Sequence, residues 1–257
     1  MSTPTFPNIK LGVLGGGQLG KMLAEAAHPW HQDIHVLDQS TSFPAGGVAT
    51  TFTEGDFTNY DDVLAFGKTM DLITIEIEKV NVEALYELEK LGKKVYPQPR
   101  VLDIIRDKRK QKAFYLEHNI PTAPFREFEG EQGVLDGVQS QDLSLPFVQK
   151  AATGGYDGRG VQVVRSHQQL EELLPGACLV EQMVPIEKEL AVVVARRPNG
   201  QIKAYPCVEM VFHPTANLVE WLACPARIPA EVEEQAKALA IHVAEAFDIV
   251  GLLAVEL

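Results

Sequence analysis

The sequence predicts an α/β chain in two parts, a parallel-sheet domain over residues 1–98 and an α+β domain over residues 99–257. Three observations carry this. In the first part, short apolar runs alternate with amphipathic stretches, the pattern of strands joined by crossover helices. A glycine-rich turn, Gly15–Gly20, separates the first apolar run from the first amphipathic stretch. In the second part, short apolar runs follow one another closely. Pro198-Asn199-Gly200 between two of them is a strong hairpin signal, so pairing there is antiparallel at least in part.

Ile9–Leu14 is a strand, Gln18–Ala27 a helix and Ile34–Leu37 a second strand with Asp38 at its end. Leu72–Ile77 is a third strand. Val82–Leu91 has helical periodicity and stops at Gly92, and Lys94–Tyr96 is a brief strand before Pro97. Arg100–His118 reads as one long charged helix, ended by Pro121 and Pro124. Glu129–Leu143 is polar and reads as a surface insertion. Phe147–Lys150, Val161–Val164 and Leu179–Met183 are strands, and Leu190–Arg196 and Ile202–Tyr205 flank the Asn-Gly hairpin. Ala230–Phe247 is a helix, with Pro229 at its start and Glu231, Glu233 and Glu234 near its positive end. Gly251–Leu257 is a last strand.

The bulk numbers narrow the function classes. The formal charge of −12 argues against a nucleic-acid binder, and an anionic substrate would need local Lys/Arg or a divalent cation. The cysteines, Cys178, Cys207 and Cys224, are widely spaced, so neither a zinc knuckle nor a disulfide framework is expected. No apolar stretch approaches the ~20 residues of a membrane span, and the start has no signal-peptide core, so a cytoplasmic protein is expected.

Two glycine loops carry chemistry. Gly15-Gly16-Gly17-Gln18-Leu19-Gly20 matches G-x-G-x-x-G in a strand-to-helix turn, with Asp38 where a ribose-binding acid would stand. Taken alone this favours an NAD-dependent oxidoreductase. A ligand-free turn, or another anion site at a helix N-terminus, are the other readings. The second loop, Thr153–Gly160, lies between two strands, and Lys150 ends the first of them. Its four glycines let backbone N–H groups approach phosphates, and Lys150 can reach them as a point charge. A plain turn has no use for Lys, Tyr, Asp and Arg packed around it.

A strand ending in Lys and followed by TGGYDGRG resembles the small-lobe loop of ATP-grasp ligases. Together with GGGQLG-x-ML from Gly15, it is similar to the N5-carboxyaminoimidazole ribonucleotide synthetase family of purine biosynthesis. Formate-dependent glycinamide ribonucleotide transformylases usually carry Glu at Gln18, and biotin carboxylases have a different first loop. The resemblance implies a Rossmann-like pre-ATP-grasp domain followed by an ATP-grasp domain. The small lobe would span about 112–185, and the large lobe would begin at 186.

The same resemblance implies the site. Lys108 and Lys150 reach the nucleotide phosphates, with Gly155, Tyr156, Asp157, Gly158, Arg159, Gly160 and Val161 around them. The backbone of Glu181, Gln182, Met183 and Val184 meets the adenine edge. Glu189 accepts from the ribose hydroxyls, and His213 lies near the nucleotide. Glu256 is the first Mg2+ ligand, a carboxylate in an otherwise apolar strand. Gly17, Gln18 and Leu19, with Glu76 and Glu78, bind 5-aminoimidazole ribonucleotide. Lys79 stands where the family often has Asn. Tyr156, Asp157 and Arg159 meet bicarbonate and the substrate.

The implied reaction is ATP-dependent carboxylation of the substrate amine by bicarbonate through carboxyphosphate, in a homodimer. The family's second metal ligand lies in an Asn-Glu pair on a strand beyond Leu257. A truncated or partly observed form of a longer enzyme is therefore expected. A non-catalytic nucleotide-binding fragment is the alternative outside the enzymes.

Overall fold

The structure is a computed structural model that describes residues 9–155, 160–212 and 219–257. The chain divides into two compact units, Met1–Asp103 and Ile104–Leu257.

The first unit runs β1 (Leu11–Leu14), α1 (Gln18–Ala27), β2 (Ile34–Asp38), β3 (Thr51–Glu54), α2 (Tyr60–Lys68), β4 (Leu72–Ile75), α3 (Val82–Lys90) and β5 (Lys94–Val95). Helix α4 (Pro99–Ile105) carries the division between the units. Every pairing in its sheet is parallel, in the order β3-β2-β1-β4-β5. The central strand β1 is a continuous apolar run because both sheet faces are covered. Val13, Ala24, Ile34, Val36 and Ala45 form one such layer. The chain leaves β1 to one side for β2 and β3, then returns to the other for β4 and β5. The order therefore reverses at β1, and ligands of open α/β sheets bind at the carboxyl ends of strands beside such a reversal.

The helix expected over Arg100–His118 is two helices, α4 and α5 (Lys108–Glu117). Asp107 separates them in an extended conformation, and its carboxylate accepts the Arg109 N–H at 2.9 Å. A short acidic side chain capping its own downstream backbone favours a helix start over helix continuation.

Four strands follow, β6 (Phe125–Phe128), β7 (Phe147–Ala151), β8 (Val161–Val164) and β9 (Cys178–Gln182), antiparallel in the order β6-β9-β7-β8. Between β6 and β7 lies α6 (Glu131–Gln139). The expected surface insertion is thus in part structural, because Val134 is buried against Phe147, Val164, Cys178 and Val180.

The remaining strands are β10 (Glu189–Arg196), β11 (Ile202–Ala204), β12 (Val208–Phe212), β13 (Val219–Ala223) and β14 (Gly251–Glu256). Strand β10 pairs antiparallel with β11, β12 and β14. Helix α7 (Ala230–Ala246) lies against β10 and β11 with Ala236, Ala240, Val243 and Ala244 buried. The Pro198-Asn199-Gly200 turn joins β10 to β11 as expected, closed by Arg197 N–H to Gln201 O at 2.9 Å. Phe114 of α5 stacks on Phe247 at 4.1 Å between ring centroids.

Candidate active site

The first glycine loop follows β1 at the order reversal. Its amide at Gly16 donates to Asp38 Oδ2 at 2.6 Å, and the Gln39 N–H donates to Asp38 Oδ1 at 2.7 Å. Asp38 is only 5% exposed. Both carboxylate oxygens thus hold backbone of this chain, where a nicotinamide enzyme would need them for a ribose diol. Buried and already engaged by two backbone donors, Asp38 gives the oxidoreductase reading little support.

The space above the loop is taken by Glu76, which follows β4. Its Oε1 accepts the Leu19 N–H at 3.2 Å. A Cβ added to Gly17 would lie 2.5 Å from Oε1, and one added to Gly15 2.7 Å from Oε2. Glycine at these two positions leaves room for the carboxylate at the positive end of α1. The structure therefore brings Gly17, Leu19 and Glu76 together, with Gln18 exposed beside them. Strand β4 stops at Ile75, short of the expected Ile77, and Glu78 lies exposed in the bend beyond it, outside this group.

The second glycine loop closes the β7–β8 hairpin. Lys150 pairs with Val161, and the Ala151 N–H donates to Gly160 O at 2.8 Å. Gly160 has φ +80°, and a Cβ there would meet Gly155 Cα at 2.9 Å. Both the left-handed backbone and this close approach require glycine, and together they draw the loop's ends toward each other. Tyr156, Asp157, Gly158 and Arg159 lie outside the described residues, as does His213.

Behind the hairpin lies a buried charge cluster. Glu181 on β9 is 5% exposed. Its Oε2 is 2.7 Å from Lys150 Nζ, and its Oε1 is 2.9 Å from Lys112 Nζ. Burial pushes the Glu181 carboxyl upward, but Lys150 and then Lys112 outweigh it and hold the group below the usual carboxylate range. Lys112 was not singled out from the sequence. The available signal was spacing, since Lys108, Gln111, Lys112 and Tyr115 recur at i, i+3, i+4 and i+7 and line one cleft.

That cleft, of about 940 Å³, lies within the second unit. Lys108, Lys150, Glu181, Val184, Glu189 and Glu256 all line it. The Lys108 N–H donates to Ala152 O at 2.8 Å, which ties the start of α5 to the start of the glycine loop. Gln182 and Met183 line a separate groove with Phe125 and Phe147. Arg227 also lines the cleft, and a lone Arg in a loop carries no pattern in the sequence.

Comparison with known proteins assigns both units to families. Residues 113–257 match the ATP-grasp domain family, and residues 9–106 match the ribonucleotide synthetase preATP-grasp domain. A solved ADP complex of an N5-carboxyaminoimidazole ribonucleotide synthetase is 30% identical with a TM-score of 0.89, covering 100% of this chain and 68% of that one. This chain belongs to the N5-carboxyaminoimidazole ribonucleotide synthetase family of ATP-grasp proteins. An Aspergillus clavatus member, solved with ADP and 5-aminoimidazole ribonucleotide, is 30% identical with a TM-score of 0.87, covering 97% of this chain and 65% of that one. A phosphoribosylaminoimidazole carboxylase of Candida glabrata is 36% identical over 255 residues, which are 96% of this chain and 44% of the relative. The chain thus spans less than half of that curated relative.

In this family member two carboxylates share one face of the second sheet. Glu256 stands opposite Ala191 on β10, two residues from Glu189, so the two acids are diagonal neighbours. Burial and then the charge of Glu256 push the Glu189 carboxyl up, and the same two causes raise Tyr115. Among the described residues, no cluster of three or more His, Cys, Asp or Glu side chains could hold a metal by itself. Glu256 offers one oxygen donor of the kind a hard cation takes, with phosphate oxygens to fill further positions. No helix of the described residues is long and apolar enough to cross a membrane.

Proposed function

We propose that this chain forms the nucleotide-binding part, and contributes to the aminoimidazole-binding part, of an N5-carboxyaminoimidazole ribonucleotide synthetase. One observation carries the reading. Residues expected at an ATP site from α5, β7, β9, β10, β14 and the segment after β9 line a single cleft.

Under this reading Lys108, Lys150 and the amides around Gly155, Gly160 and Val161 receive the phosphates. The backbone of Glu181–Val184 reads the adenine edge, and Glu189 accepts from the ribose. Glu256 would hold magnesium, which when bound neutralises phosphate charge. A bicarbonate oxygen attacks the γ-phosphorus, and ADP leaves as carboxyphosphate forms. The exocyclic amine of 5-aminoimidazole ribonucleotide captures the carboxyl carbon, directly or after carboxyphosphate releases carbon dioxide, phosphate leaves, and the amine proton passes to Asp157. Tyr156 and Arg159 hold bicarbonate and the substrate, and Gly17, Gln18, Leu19 and Glu76 contribute to the aminoimidazole site. Phosphoryl transfer of this kind needs positioning and charge neutralisation more than covalent help. The working enzyme is a cytoplasmic homodimer.

The test is ADP release by the protein carrying this chain, with bicarbonate and 5-aminoimidazole ribonucleotide present together or singly. Release that requires both, and that Lys150→Ala abolishes, is expected. Release indifferent to the ribonucleotide, or to Lys150, would contradict the reading.

A further inference from the structure

Lys112 has no part in the reaction described above, yet it is closely held. The residue is 9% exposed, and its ammonium lies 2.9 Å from Glu181 Oε1. The same ammonium donates to Thr122 Oγ1 and stands 5.6 Å from the centroid of the Phe125 ring. Lys150 holds the other oxygen of Glu181 at 2.7 Å, but 32% of its side chain is exposed and it lines the cleft. One buried acid therefore holds two cations of unlike freedom. Both lysines line the cleft, but Lys112 is held by Glu181, Thr122 and the Phe125 ring with 11% of its side chain exposed, whereas Lys150 is the more open to whatever enters.

A buried carboxylate left without a cation is strongly unfavourable. Were Lys150 the only partner of Glu181, moving its ammonium onto a phosphate would strand the acid. We propose that Lys112 is the positioning residue that frees Lys150 for nucleotide phosphate, by neutralising Glu181 whether or not Lys150 is engaged. Lys150 can then exchange a carboxylate oxygen for a phosphate oxygen without leaving a lone buried charge behind. Lys112 acts through Lys150. The inference rests on the ATP reading of the cleft and adds to it the device that makes the phosphate lysine available.

The test is calorimetric titration of ADP into wild-type protein, Lys112→Met and Lys112→Arg. Wild type binds ADP, Lys112→Met binds about tenfold more weakly or worse near pH 8, and Lys112→Arg stays within about threefold of wild type. Toward about pH 6 the deficit of Lys112→Met shrinks, because a proton on Glu181 replaces the missing charge. Among the described residues, the charged side chains paired with Glu181 are Lys112 from α5 and Lys150 from β7, while β6 presents the Phe125 ring. Equal affinity in wild type and Lys112→Met overturns the proposal. So does a deficit of the same size at every pH, which marks general damage to the fold. Absence of ADP binding by wild type overturns the ATP reading as well, so the two failures are distinct. Lys112→Gln, which keeps a donor for Thr122, replaces Lys112→Met if the latter does not fold, with the same expectations.

Discussion

Glu181 concentrates the electrostatics of the second unit in one carboxylate, and its linkage to pH has a definite sign. Its folded pKa lies below the unfolded value, because two lysines outweigh its burial. Such a group stabilises the fold above the unfolded carboxylate value of about 4.3, and that stabilisation is lost as pH falls through the lower folded value. The melting-temperature gap between wild type and Glu181→Gln should therefore narrow on acidification below about pH 4.3. A gap that stays constant would contradict the ion pairs. Glu256 gives a second residue-scale prediction. Magnesium should tighten ADP binding to wild type, and Glu256→Gln should lose that gain while keeping metal-free ADP affinity. Equal magnesium dependence in both proteins would remove Glu256 from the metal site. Neither Glu181's charge pairing nor the role of Lys112 was legible in the sequence. Residues 112, 150 and 181 are far apart in the chain: the pairing of β7 with β9 brings Lys150 to Glu181, and the packing of α5 on β9 brings Lys112.

Elements with continuous apolar runs or clear helical periodicity match their expected bounds closely, whereas helix α2 went unread despite its Asn59 cap. Helix α1 spans Gln18–Ala27 and strand β8 spans Val161–Val164, as expected. Strands β3, β6, β12 and β13 went unread because they are short and interrupted by charged residues, as in Phe125-Arg-Glu-Phe128. The break between α4 and α5 was missed because Asp107 sits inside a charged run that continues helical periodicity across it. That cap makes an element-scale prediction. Asp107→Ala should cost about 1 kcal/mol of stability, fray the first turn of α5 and weaken ADP binding through Lys108. Thermal melting and calorimetry on the one variant check both, and an unchanged melting temperature would count against the cap. The polar stretch over residues 129–143 misled for the opposite reason. Val134 is buried and Val138, four residues on, packs against the same cluster, so a short apolar stripe anchors a helix whose remaining residues are largely polar or glycine.

Across the whole chain the two glycine loops look alike in sequence but differ in what surrounds them. The first unit closes its loop with its own acids, Asp38 on the Gly16 amide and Glu76 over Gly15 and Gly17. The second unit places its loop beside a cleft lined by Lys108 and Lys150. Sequence spacing alone pointed the first loop toward NAD, since it could not show that both Asp38 oxygens already have backbone donors. The most direct test is calorimetric titration of ADP into this protein, with NAD as the comparison ligand. Saturable ADP binding, weakened about tenfold or more by Lys150→Ala, with no binding of NAD, is the predicted result. Tight NAD binding, with ADP affinity indifferent to Lys150, would contradict the assignment of the second loop as the nucleotide site.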